Sequence, residues 1–444
     1  MNKDRLFWIW LSRRLGPGSR HYVALLDHFN TPYEVFEASE ETLAEACPAL
    51  NARDLAALND KNLDEAYEII GYCSRNNISL LCYDDPRYPL TYRSMVDPPL
   101  LLYYRGKLPD FQTKLHIAVV GTRKMSEYGR RTAYKIAYEL ATAGTVIVSG
   151  MALGIDSVAA CAALEAGGTT VAVLGSGIDV PYPTEHAKFQ QIIESRGVVM
   201  TEFAPGVRPL GHHFPMRNRL ISGLAQGTLI VDADEGSGAL ITADRALEQG
   251  RALYAVPANI GDRNASGTNR LIREGARVVL AAEDILNEYK LLYRSAIRFG
   301  QSVSLGRKSD YNGEALSRMG VYSRTVGGES RVPAQSDISQ ATAPVPSQNS
   351  TAPRKPSPVR KSKTPVKEQE SPTSALSADR SAELLATMGE RERCVFEAIP
   401  MDTPIAIDRL QSTGYGTGDL LAALSLLEIK GLIQTLPGGL YCRA

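Results

Sequence analysis

The sequence predicts a parallel α/β domain, preceded by a small helical domain and followed by a disordered linker and a winged-helix domain. Three observations carry this. Between residues 115 and 256, short β-branched runs alternate with helical stretches. The first 110 residues carry apolar side chains at three- and four-residue spacing. From about Gln301 to Ser381 there is no Phe or Trp, and eight prolines stand among many Ser and Thr. The expected divisions are 1–110, 111–290, 291–383 and 384–444.

Length and composition set the outer bounds. At roughly 150 residues per domain, 444 residues make about three domains. With 44% hydrophobic and 22% charged residues, the chain is neither wholly disordered, nor collagen-like, nor a disulfide miniprotein. Lys plus Arg and Asp plus Glu are 49 each, so bulk positive charge cannot drive nucleic-acid binding. Any such binding needs local clusters. Six cysteines, none in C-x-x-C spacing, read as buried reduced thiols and suit a reducing cytoplasm. Near the start only Leu6–Leu11 is an apolar run, too short for a signal-peptide core or a membrane span. The expectation is a cytoplasmic protein with no membrane partner.

In the first domain, helices are expected over Leu6–Leu15, Tyr22–Phe29, Thr42–Cys47, Ala52–Leu58 and Leu63–Asn76. Gly16-Pro17-Gly18 separates the first two. Such a turn can present backbone amides to a DNA phosphate, as helix–hairpin–helix (SAM-like) modules do. A plain helical turn explains it more simply.

In the second domain, strands are expected at Leu115–Val120, Thr145–Val148, Thr169–Leu174, Val198–Thr201, Thr228–Val231 and Arg251–Val256. The intervening helices are Arg130–Ala143, Ile155–Ala166, Glu185–Ser195, Arg217–Ala225 and Ala239–Gln249. Nearly continuous apolar strands fit a sheet buried on both faces. The linker follows. Its stretch Arg354–Lys367 carries six bases and no acid, and the segment cannot bury enough apolar area to offset its chain entropy. The last domain reads as helices Arg391–Ile399, Ile405–Ser412 and Gly418–Ile429, then strands Leu432–Leu436 and Leu440–Cys442 around Pro437-Gly438-Gly439.

Ligands of a parallel sheet bind beyond the carboxyl ends of its strands. Gly121-Thr122-Arg123-Lys124 follows the first strand, and Ser149 through Asp156 the second. Gly175-Ser176-Gly177 follows the third. Phe214 through Arg219 comes after the fourth, and Gly236-Ser237-Gly238 after the fifth. Small residues at helix starts let backbone N–H groups approach an anion. Tight turns alone also favour glycine, but Arg123, Arg217 and Arg219 beside these loops point to phosphate. Asp156 is expected to order its helix turn rather than to act as a base.

Other chemistry is not supported. The chain has no P-loop, and no G-x-G-x-x-G follows the first strand. His212-His213 lack partners at metal spacing, so neither a metal nor a cofactor is expected. Ser149 and Ser237 have no nearby His to serve as base, so no catalytic residue is assigned.

The motifs together resemble the DNA-processing protein A (Smf) family. They are Tyr88-Pro89 with Pro98–Tyr103, Ile117–Gly129, Ser149–Asp156, Val171–Pro183, Phe214–Leu220, Ser237–Thr242 and Ala255–Ala276. The winged helix ending in Pro-Gly-Gly-Leu-Tyr resembles that of longer members. The chain departs from the family pattern at Ala160, Gly236 and Ala258.

The resemblance implies an extended Rossmann-like domain that binds single-stranded DNA without catalysis, a homodimer, and help in loading a RecA-type recombinase during natural transformation. It places the DNA site on Gly121, Thr122 and Arg123, on Ser149, Gly150 and Gly154, on Phe214, Arg217, Asn218 and Arg219, and on Ser237 and Gly238. Phe214 would stack on a base. Two other classes stay open: a nucleotide-cleaving phosphoribohydrolase-like enzyme, whose P-G-G-x-G-T-x-x-E is missing, and a ligand-sensing transcription regulator. The winged helix's third helix has Asp419 and Glu428 against the single base Lys430, which favours a protein contact over reading of DNA bases.

Overall fold

The apolar run Leu6–Leu11 has no polar face, so the helix that contains it must be surrounded. In the computed structural model it is α1 (Asp4–Leu15), with Leu6, Trp8, Ile9, Trp10 and Leu11 all buried. Around it lie α2 (His21–Phe29), α3 (Pro32–Glu37), α4 (Glu40–Ala46), α5 (Ala52–Asn59) and α6 (Asp64–Arg75). Thr31, Ser39 and Asn51 cap α3, α4 and α5 by accepting backbone N–H groups. The structure describes residues 4–298, 317–321, 389–400, 405–410, 415–430, 432–436 and 440–443.

The Gly16-Pro17-Gly18 turn does not face outward as a phosphate holder. The Gly18 N–H donates to the buried Glu202 carboxylate at 3.1 Å, so the turn docks the helical domain onto the sheet domain.

The division at residue 110 needs correction. β1 (Ser79–Cys82) and β2 (Leu101–Gly106), with the single turn α7 (Leu90–Arg93) between them, belong to the sheet. Strands this short, one of them ending a helical stretch, give no period-2 signal to oppose the helical reading. The other strands are β3 (His116–Val120), β4 (Val146–Ser149), β5 (Thr170–Val173), β6 (Val198–Thr201), β7 (Gly227–Ile230), β8 (Ala252–Ala255) and β9 (Arg277–Val278). The order is β1-β2-β6-β5-β4-β3-β7-β8-β9. β1–β2 and β2–β6 are antiparallel, and every other pair is parallel. β3 through β7 are buried along their whole length, as the apolar runs predict.

The crossover helices are α8 (Glu127–Thr142), α9 (Ile155–Glu165), α10 (Ala187–Arg196), α11 (His213–Leu224) and α12 (Gly238–Glu248), followed by α13 (Ser266–Arg273) and α14 (Ala282–Tyr289). Strand order reverses at β3, which has β4 on one side and β7 on the other. That switch point is where a doubly wound sheet opens its crevice.

The linker boundary at 291 is also corrected. Ile297, Met319 and Val321 are buried against the sheet domain, and the Arg298 N–H donates to Ala143 O at 2.9 Å. Met319 Sδ lies 3.5 Å from Cys161 Sγ. Three anchoring side chains are too few to shift a local composition. Residues 299–316 and 322–388, including Arg354–Lys367, lie outside the described residues. At the end of the chain, α15 (Glu390–Ala398), α16 (Ile407–Leu410) and α17 (Thr417–Ile429) pack with β10 (Ile405–Ala406), β11 (Ile433–Leu436) and β12 (Leu440–Arg443). The sheet order is β10-β12-β11. β10 takes the first two residues expected in the second helix. The Pro437-Gly438-Gly439 turn lies outside the described residues.

His116 opens β3 fully buried, and its Nε2 has no partner among the described residues. Burial pulls its pKa down to about 4. The unfolded value is near 6.5, so stability is whole above that pH and is lost as pH falls toward 4. The expected loss is on the order of 3 kcal/mol between pH 7 and pH 4. Denaturant melts at the two pH values measure it, and His116→Gln should flatten the difference.

Candidate nucleic-acid interface

The loops after β3 and β7 and the start of α11 enclose a cleft of about 380 Å³ at the switch point. Its lining includes Gly121, Thr122, Arg123, Phe214, Arg217, Asn218, Ser237 and Gly238. Lys124, Asp156, Asp234 and Thr242 also face it. None of these four was assigned as a DNA residue from sequence. The signal for Lys124 was its place beside Arg123 in the first loop.

Each wall has a local cause. Gly121 allows β3 to turn against α9: a Cβ there would meet Ile155 Cγ1 at 2.5 Å and Asp232 O at 2.9 Å. Arg123 and Lys124 are then carried out into solvent. The Arg123 guanidinium carbon lies 5.1 Å from the Phe214 ring centroid. Ser237 caps α12 by accepting the Ala239 N–H, and the exposed Gly238 brings the start of that helix to the cleft wall. Asn218 Nδ2 donates to Gly238 O at 3.3 Å and ties α11 to the same loop.

Arg217 is 4% exposed. Its Nη1 donates to Gly150 O at 2.7 Å and to Val173 O at 2.6 Å, and its Nε to Asn218 Oδ1 at 3.1 Å. One edge reaches the cleft, while Nη1 joins the carboxyl ends of β4 and β5. Burial lowers its pKa to about 10, against the pull of Asp156, so it stays charged at neutral pH. Asp156 accepts the Gly150 N–H at 3.0 Å and orders that loop, in keeping with the structural role expected of it. Burial raises its pKa, with Arg217 opposing.

Four assigned residues stand apart from the cleft lining. Ser149 is fully buried, and its hydroxyl donates to Val119 O at 3.0 Å. Gly150 lies under Arg217: a Cβ there would collide with the guanidinium. Gly154 has φ +86° and backs onto Thr122 O, so it shapes the loop. Arg219 points away, into a buried ion pair with Glu202, and donates to Asp97 O at 2.5 Å. On a helix, residues two apart do not share a face, so Arg217 and Arg219 diverge.

The family model described as DNA recombination-mediator protein A matches residues 79–290, and the DprA winged helix domain matches 368–439. The first match begins at β1, where the sheet begins. The DNA processing protein DprA of Streptococcus pneumoniae is 42% identical over 206 residues, 46% of this chain and 72% of that protein. The Bacillus subtilis protein of the same name is 38% identical over 211 residues, 48% of this chain and 71% of that protein. The X-ray structure of DNA processing protein A from S. pneumoniae superposes with a TM-score of 0.56 at 33% identity, covering 64% of this chain and 97% of that one. By its motifs, its sheet and these matches, the chain belongs to the DNA recombination-mediator protein A (DprA/Smf) family.

Proposed function

We propose that the chain binds single-stranded DNA in the cleft at the switch point and serves DNA processing in transformation. In this reading it acts as a homodimer with a RecA-type recombinase and performs no catalysis. The observation that carries the DNA reading is one juxtaposition: exposed Arg123 and Lys124, the open start of α12 and the half-buried Phe214 ring border a single cleft. Cations and helix N–H groups suit phosphates, and an aromatic face suits an unpaired base of any identity. A cytoplasmic place is consistent with this, and no helix among the described residues is long and apolar enough to cross a membrane.

Fluorescence anisotropy with single- and double-stranded oligonucleotides across a salt series tests the reading. Equal affinity for the duplex, or no binding, overturns it. Arg123→Ala should keep its melting temperature, weaken binding about evenly across sequences, and reduce the salt slope by roughly one. Phe214→Ala should cost about 1–3 kcal/mol of binding with the slope unchanged, because stacking is uncharged. Filament assembly on strands coated with a single-strand-binding protein, with and without the chain, tests the recombinase partnership.

A further inference from the structure

Next to the cleft, on the β5 side, stands a second aromatic ring that the sequence reading left unassigned. Tyr182 lies in the segment between β5 and α10, half-buried. Its ring centroid is 5.1 Å from that of Phe214, with the planes at 41°. Its hydroxyl has no hydrogen-bond partner among the described residues, so the side chain is not spent on holding a backbone group. Gly175 lies against Phe214: a Cβ there would come within 3.1 Å of Phe214 Cδ1, so a larger residue would push the ring outward. Arg123 approaches the same ring, so Phe214 neighbours both the cation and Tyr182.

We propose that Tyr182 is a second base-stacking residue: a strand with phosphates at Arg123 and Lys124 and one base on Phe214 lays a neighbouring base on Tyr182. This rests on the single-strand reading of the cleft. The ring spacing decides the mode of contact. A base inserted between two rings needs them about 7 Å apart, twice a carbon contact of about 3.5 Å. At 5.1 Å the two rings pack against each other and leave no such slot. Each therefore offers its remaining surface to one base, and the tilt splays the two bases apart. Every base has a π-face, so the pair extends the footprint without selecting sequence.

The test uses the full chain, oligothymidylates carrying one 2-aminopurine at successive positions, and the variants Tyr182→Leu and Tyr182→Phe. In the parent, two adjacent positions should be quenched on binding. Tyr182→Leu should weaken binding about 5- to 150-fold with the salt slope unchanged, the range of one base–aromatic stack. It should abolish quenching at one of the two positions and leave the other, and Tyr182→Phe should restore both. Parent-like affinity and quenching in Tyr182→Leu overturn the proposal, as does equal loss of quenching at both positions, which marks Tyr182 as a prop for Phe214. If the parent fails to bind single strands at all, the reading of the cleft itself fails first.

Discussion

Arg217→Ala is expected to destabilise the protein by about 4 kcal/mol and to lower its melting temperature by about 10 °C. The guanidinium is nearly sealed from water and bridges Gly150 O and Val173 O, the backbone ends of two neighbouring strands. Alanine leaves both carbonyls without that donor, at about 1–3 kcal/mol for each buried group left unpaired. It also leaves the buried Asp156 without its main opposing cation. Arg217→Lys should recover little, because one ammonium on a flexible stem cannot reproduce the planar fork. Thermal melts followed by circular dichroism decide the matter. A melting temperature within about 2 °C of the parent means that the carbonyls find other donors and that the arginine is free to act as a ligand. This sets the order of experiments on DNA. Weak binding by Arg217→Ala reports a damaged sheet edge, whereas Arg123→Ala, at an exposed position, reports a phosphate contact.

The contrast between these two arginines shows how far the sequence could be read. Alternation of β-branched runs and helices placed β3 through β8 because each strand is buried on both faces and is therefore continuously apolar. The glycine loops after β3 and β7 both border the cleft, but packing requires glycine only at Gly121, because a Cβ at Gly236 or Gly238 would meet nothing closer than 3.9 Å. What was not legible is the direction of a side chain. Arg123, Arg217 and Arg219 look alike as phosphate ligands beside glycine loops. Arg123 reaches solvent from the loop after β3, whereas Arg217 braces the loop and Arg219 is buried elsewhere because α11 turns the two through successive angles. β1 and β2 were missed for a related reason. Their place is fixed by antiparallel pairing of β2 with β6 and of β1 with β2, contacts that leave no local period. Tyr182 was hidden inside a Pro-rich turn, where its nearness to Phe214 depends wholly on tertiary structure.

Arg219→Ala is the second large effect, about 3–5 kcal/mol of stability with no direct loss of a DNA contact. Arg219 and Glu202 form an ion pair with side-chain exposures of 4% and 5%. The pair ties together four parts of the chain. Glu202 follows β6, Arg219 lies in α11, Asp97 O accepts from the guanidinium, and the Gly18 N–H donates to Glu202 from the turn after α1. Removing the arginine strands a carboxylate whose burial already raises its pKa. Glu202→Gln keeps an acceptor for Gly18 but leaves the guanidinium without its buried counter-charge. The double variant Arg219→Leu with Glu202→Leu removes both charges and should be clearly more stable than the sum of the single losses. Hydrogen exchange in α2 should rise in the double variant, because the docking turn loses its Glu202 acceptor while the helical domain keeps its own core. Denaturant melts of the two single variants and the double variant, with single-strand affinity measured against salt, complete the test. If Arg219→Ala keeps its full stability and instead reduces the salt slope by about one, the guanidinium turns outward to a phosphate and the ion pair is not its working state.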